Sequence, residues 1–370
     1  MRSYAFFEFL SPAVIVALGF VATSSGSLFH LPPLATLGFT TWLFGFLVIL
    51  CRSIFKRVPQ RDLRIFLAGI TIFSSLTFAT LSTYFTIGVT THSTLLLLLV
   101  MTMALVLLGK NTKPFSVPTL SFHNLLALSG NERLVLAGTI FSQATVLLLL
   151  ILSRYDGALI TPWMIFPPTN FAFFFIGTAG VLALQRQTNT AWIWPACSQT
   201  FLAVALSCFV YGVGFGFDPF IHRAAETALI NDGFIYPQRF LYSGQYALIG
   251  SLHFLARLPI NLIDIWILPL LASIFLPWSA YLGLRDGWKL PEPAARFGWA
   301  LALFIPFMLF TFTVPFTFTY VIYAGALFLA PLTHTRSAGL VMLLLASVSC
   351  LFHPLLGARP LFYWPLATYI

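Results

Sequence analysis

Long apolar runs alternate with short polar punctuation along nearly the whole of this chain. A helix that crosses a bilayer needs roughly 20 predominantly apolar residues. Runs of that kind predict spans near residues 9–30, 33–51, 65–87, 91–109, 134–153, 160–184, 192–214, 261–284, 297–313, 316–333 and 337–356. The runs are continuous rather than alternating, which argues against a transmembrane β-barrel. Pairs of prolines precede two of the expected helices, at Pro32-Pro33 and Pro167-Pro168, while Pro195, Pro269 and Pro306 inside apolar runs predict kinks rather than breaks. The expected fold class is all-α: a polytopic transmembrane helical protein with about eleven spans.

The pattern changes between residues 216 and 260. Pro219 to Asn231 reads as an amphipathic helix, with Asp218 as its N-cap, Pro219 at the first helical position and Asp232-Gly233 at its close. Pro237 interrupts, and Tyr242 to Leu258 reads as a second helix. Its apolar part, Gln245 to Leu258, is only about 14 residues long, which favours an interfacial or re-entrant helix over a span. The segment 216–260 is therefore expected to be a structured external loop, helix–turn–helix, lying on the membrane surface. Residues 1–190 then form an N-terminal set of membrane helices, and 191–370 a second region built around that loop.

Charge sharpens this picture. Only 8% of residues are Asp, Glu, Lys or Arg and 59% are hydrophobic, with a mean hydropathy of +0.93; an ordinary soluble domain carries about 25% charged residues. The net charge of +9 comes from bases in short loops, so it speaks for orientation and anionic lipid rather than nucleic acid. Arg52, Lys56, Arg57, Arg61 and Arg64 form the densest basic cluster, which places residues 52–64 and the N-terminus on the cytoplasmic side of the cell membrane. Lys110, Lys113, Arg133 and Arg186 follow the same assignment, and Asp218 emerges outside. A span at 245–258 would push Arg285, Lys289 and Arg296 outside, against the charge bias.

The four cysteines form no CxxC pair, and no phosphate loop, HExxH, GxSxG or dinucleotide fingerprint occurs in a confirming context. What chemistry the chain offers gathers just after residue 216. Asp218, His222 and Glu226 recur at i, i+4 and i+8, with Arg223 among them. Two readings stand: the wet face of an interfacial helix, or an oxygen-and-imidazole set able to hold a divalent metal, Mg or Mn, beside a phosphate. Asp264 is either an intramembrane acid with a function or the solvated start of a span. His353, at the outer end of the last span, is either structural or part of the same external site. Arg239 and Arg257 are expected to snorkel to headgroups, and Tyr236, Tyr242 and Tyr246 to form an interfacial aromatic belt.

The stretch Gly216-Phe217-Asp218-Pro219-Phe220-Ile221-His222-Arg223-Ala224-Ala225-Glu226, followed by Asn231-Asp232-Gly233, resembles a signature of the GT-C membrane glycosyltransferases. It looks like the first external loop of the oligosaccharyltransferase catalytic subunit. Tyr242-Ser243-Gly244-Gln245-Tyr246 and His353-Pro354-Leu355-Leu356-Gly357 are similar to bacterial integral membrane proteins related to that superfamily. The resemblance spans roughly residues 192–360. It implies a transferase with a polyprenyl-phosphate-linked sugar donor, in which Asp218 binds a divalent metal or activates the acceptor. Arg223 is the candidate for the donor's phosphate, with His222, Glu226, Asp264 and His353 as further substrate-binding candidates. The chain departs from the family in having about six spans before the signature. It also lacks an acid in the matching second turn, Thr311-Phe312-Thr313-Val314-Pro315-Phe316. The absence of the family's soluble domain predicts a fragment or a shortened relative. The rival reading is a transporter or flippase of a lipid-linked or amphipathic substrate, or a relative that has lost catalysis.

Overall fold

The computed structural model describes residues 11–110, 112, 128–155, 157, 159, 161–186, 192–212, 214, 216–236, 240–304 and 312–358. Its principal helices are α1 (Pro12–Leu28), α2 (Pro32–Arg52), α3 (Arg61–Thr86), α4 (Thr91–Gly109), α5 (Gly130–Leu152), α6 (Pro168–Gln185), α7 (Ile193–Val204), α8 (Leu206–Val210), α9 (Asp218–Asp232), α10 (Ser243–Ala256), α11 (Ile260–Leu282), α12 (Glu292–Phe297), α13 (Pro315–Leu329), α14 (Arg336–Phe352) and α15 (Pro354–Gly357). Among the described residues no strand occurs, only an isolated bridge between Tyr155 and Tyr211.

Seven of these helices are long and apolar enough to cross a membrane: α2 to α6, α11 with the π turn Gly283–Gly287 that continues it, and α13 with its 3₁₀ extension to Thr333. α1 and α14 are apolar but shorter. Helix bounds follow the apolar runs closely because, without water in a bilayer core, each backbone amide must be satisfied within its own segment. α11 runs unbroken through Pro269 and Pro277, in line with the expectation of kinks. The expected span at 192–214 holds two helices, α7 and α8, of 12 and 5 residues, which meet at a break at Ala205. Nothing in the local sequence marks Ala205 as a break. Residues 305–311 of the expected span at 297–313 lie outside the described residues; before them come a 3₁₀ turn, Gly298–Ala300, and a short helix, Leu301–Phe304.

The chain divides into two compact units that interleave in sequence. Unit 1 takes residues 1–120, 221–263 and 335–358; unit 2 takes 121–220, 264–334 and 359–370.

In unit 1, α1 and α2 form an antiparallel hairpin. Gly19, Gly26, Gly38 and Gly45 lie at its seam, and a Cβ on any of them would run into the facing helix, as at Gly26 against the backbone of Ala35. Small residues let backbones approach where no hydrophobic force drives helices together. α3 and α4 turn about Gly88 (φ +82°), and Val89 N donates to Gly233 O at 2.8 Å, which ties this turn to the end of α9. Gly233 (φ +78°) closes α9 as the sequence predicts, its N–H returning to Leu229 O.

α10 departs from expectation. Instead of lying on a surface it is enclosed: all its residues but Leu252 and His253 are buried. Gly244, in its first turn, packs on Leu351 near the end of α14. Its last carbonyls, of Phe254 and Ala256, accept from Ser27 Oγ at the end of α1 (3.0 Å) and Thr36 Oγ1 near the start of α2 (2.7 Å). α10 thus joins the end of α14 at its start to the α1–α2 turn at its close. Several of its polar side chains bond internally: Ser251 Oγ donates to Leu248 O and His253 Nδ1 meets Leu258 O, both at 2.8 Å. That is how a sequence with wet-looking positions becomes buried.

In unit 2, buried amides join three helices. Gln143 of α5 donates to Pro195 O (2.8 Å) and to Gln199 Oε1 (3.1 Å), and Gln199 of α7 donates to Phe174 O and Thr178 Oγ1 of α6, both at 2.9 Å. After α11, Arg285 makes a two-pronged pair with Asp286 (2.8 and 2.7 Å) and Arg296 binds Glu292 at 3.1 Å.

Candidate functional site

Asp218 opens α9, just after a turn that uses Gly214 (φ +113°) and Gly216 (φ +88°). The left-handed backbone at both glycines is what turns the chain into the helix. Asp218 is exposed, and its neighbours Phe217 (77% exposed), Phe220 (41%) and Ile221 (55%) are exposed as well. A carboxylate thus stands among uncovered apolar side chains, at the positive end of a helix dipole.

Along α9 the polar stripe sinks into unit 1. His222 is half-buried, and its Nδ1 meets the Tyr246 hydroxyl at 2.7 Å. Glu226 has no exposed surface, and its Oε1 accepts from Gln245 Nε2 at 2.8 Å. The wet-face reading of Asp218, His222 and Glu226 is therefore corrected: only Asp218 faces outward, because the helix packs Leu229 and Glu226 onto α10. From there Glu226 Oε1 ties α9 to α10 through Gln245. Arg223 is half-buried, with its carbonyl bonded to Thr227 at 2.8 Å.

His353 joins this group from the far end of the chain. It sits in extended backbone before Pro354, where α14 stops, and its Nδ1 accepts from Leu356 N at 3.4 Å to cap α15. Tyr242 lies between the two imidazoles, with ring centroids 5.5 Å from His222 and 5.6 Å from His353. The structure thus brings together two motifs that the sequence holds far apart, 242–246 and 353–357. Gly244 and Gly357 permit this: a Cβ on Gly244 would press on Leu351, and one on Gly357 on Ser349.

Three further expectations change. Asp264, in unit 2, is 1% exposed, so it is not a solvated start of α11, whereas Asn261 is exposed. Arg257 does not snorkel freely: held at φ +55°, it donates to Ser27 O and Thr91 Oγ1. Tyr242 and Tyr246 belong to an internal cluster rather than to a surface belt, although Tyr236 is 77% exposed. Arg239 lies outside the described residues. Sequence reasoning missed Gln245 altogether, since nothing in a lone glutamine of an apolar helix announces a buried carboxylate partner.

Among the described residues no group of three or more His, Cys, Asp or Glu side chains could hold a metal ion. No protein-family model, no curated protein and no solved structure matches the chain.

Proposed function

We infer that the chain is a GT-C-like membrane glycosyltransferase that uses a polyprenyl-phosphate-linked sugar as donor at the extracytoplasmic face of the cell membrane. The topology belongs to the same reading: about eleven spans, a cytoplasmic N-terminus and segment 216–260 outside. The observation that carries it is the exposed Asp218 carboxylate among the uncovered side chains of Phe217, Phe220 and Ile221. Such a surface suits a donor whose polar head meets its isoprenoid chain at the membrane boundary. Asp218 takes the proton from an acceptor hydroxyl or amide. The acceptor then forms a bond to the sugar's anomeric carbon, and the bond from that carbon to the phosphate oxygen breaks, releasing polyprenyl phosphate. Arg223 meets the phosphate, where a guanidinium matches two oxygens at once.

The test is release of polyprenyl phosphate from a panel of polyprenyl-phosphate monosaccharides by the protein in nanodiscs, with water and a panel of alcohols and amides as acceptors for the sugar. Wild type is expected to release it, and Asp218→Asn to slow release by roughly 10²–10⁴-fold, the range of a lost general base. Equal rates would sink the assignment of Asp218. A second reading, a transporter or flippase of an amphipathic substrate, is favoured by the two fully enclosed acids Glu226 and Asp264. It predicts transbilayer movement of a fluorescent polyprenyl phosphate in sealed vesicles that Asp218→Asn leaves intact.

A further inference from the structure

The Tyr242 ring packs at the edge of the internal cluster of unit 1 and is carried on an unusual backbone. Its backbone is left-handed (φ +65°, ψ +4°), a conformation that bulky residues rarely adopt. Strain of this kind persists where surrounding structure imposes it, and it concentrates at binding sites. Here the imposing contacts are visible. Ser243 N and Oγ both bond to Phe240 O (3.4 and 2.7 Å), and α10 begins at once, with Gln245 N donating to Tyr242 O at 3.1 Å. The ring is half-buried, as are both flanking imidazoles, while α10 behind them is closed. Each imidazole is anchored from behind, His222 by the Tyr246 hydroxyl and His353 by Leu356 N. The Tyr242 hydroxyl and the second nitrogen of His353 make no hydrogen bond to a described residue.

From these residues we propose that Tyr242, flanked by His222 and His353, is a platform for one pyranose ring of the substrate. Its ligand class rests on the transferase reading above. An aromatic face takes up the C–H face of a sugar, and the polar edges beside it take up hydroxyls. Three anchored rings with few rotatable bonds limit the ordering cost of binding. The three rings themselves offer polar edges rather than a charge, which suits a ring with hydroxyls at its rim.

Two substitutions remove the ring without fighting the backbone, since Gly and Asn tolerate positive φ: Tyr242→Gly and Tyr242→Asn. Saturation-transfer NMR on the full chain in nanodiscs, with methyl α-D-mannopyranoside, methyl β-D-glucopyranoside and methyl N-acetyl-β-D-glucosaminide as probes, reads the contact directly. At least one pyranoside is expected to receive transfer in wild type. That signal should vanish in both ringless variants, while Tyr242→Phe, which keeps the face but loses the hydroxyl, should weaken the affinity about tenfold. Inorganic phosphate followed by ³¹P relaxation should be insensitive to Tyr242. The platform is overturned if no pyranoside contacts wild type, or if a folded ringless variant retains the transfer. It is equally overturned if both ringless variants fail to fold while Tyr242→Phe binds like wild type, which would assign the ring to packing. Sugar contact without any phosphate release keeps the platform and sinks the transferase reading; release that ignores Tyr242 does the reverse.

Discussion

Glu226 and Asp218 stand two helical turns apart on α9 and behave as different chemical objects. Glu226 is enclosed and bonded to Gln245, so removing that donor strips a buried carboxylate of a partner. Gln245→Leu is expected to lower unfolding stability in detergent by about 1–3 kcal/mol, the usual cost of such a loss. Denaturant titration of the purified protein would check it, and an unchanged midpoint would refute the pairing. Asp218 faces outward, and its replacement by Asn should move stability by no more than about 1 kcal/mol, the scale of a helix-dipole interaction. A loss of activity in that variant would then report chemistry rather than folding.

At the scale of elements, close approach decides what each helix tolerates. Gly26 faces the Ala35 backbone in the α1–α2 hairpin, whereas Gly69 in α3 has nothing within 4 Å of where a Cβ would sit. Gly26→Leu is expected to destabilise by roughly 1–3 kcal/mol or more because backbone cannot yield. Gly69→Ala should stabilise by about 0.5–1 kcal/mol through helix propensity. Thermal unfolding of the two variants side by side tests the seam. α10 supplies a further case. Its C-terminal carbonyls are enclosed and depend on Ser27 and Thr36. Thr36→Val should leave Ala256 O without that donor, at a cost of about 1–3 kcal/mol, and raise hydrogen exchange in the last turn of α10 ahead of its first. Uniform exchange along the helix would refute the cap.

For the molecule as a whole, the prediction concerns sidedness. Ser243, an obvious loop position by sequence, is 1% exposed and would report nothing to a labelling reagent. Tyr236, 77% exposed, and Gln60, exposed beside the basic cluster, are better placed. In intact cells a membrane-impermeant maleimide is expected to label Tyr236→Cys and to spare Gln60→Cys until the membrane is opened. Labelling of both from one side would break the topology.

Run length, read from the sequence alone, located most of the apolar helices to within a few residues, because in a bilayer each segment must satisfy its own backbone; α6 starts eight residues later than its run, and 192–214 breaks at Ala205. The Asp218-Pro219 start and Gly233 end of α9 were equally legible, since capping is a local matter. What only the tertiary structure decided depends on pairs of distant segments. α10 is enclosed rather than surface-bound because helices from elsewhere in the chain supply partners for its polar atoms. Glu226 is sealed against Gln245, and Tyr242 sits between His222 and His353, because Gly244 and Gly357 let α10, α14 and α15 come close. No periodicity within a single window encodes such a meeting; it follows from which faces pack together once the helices are assembled.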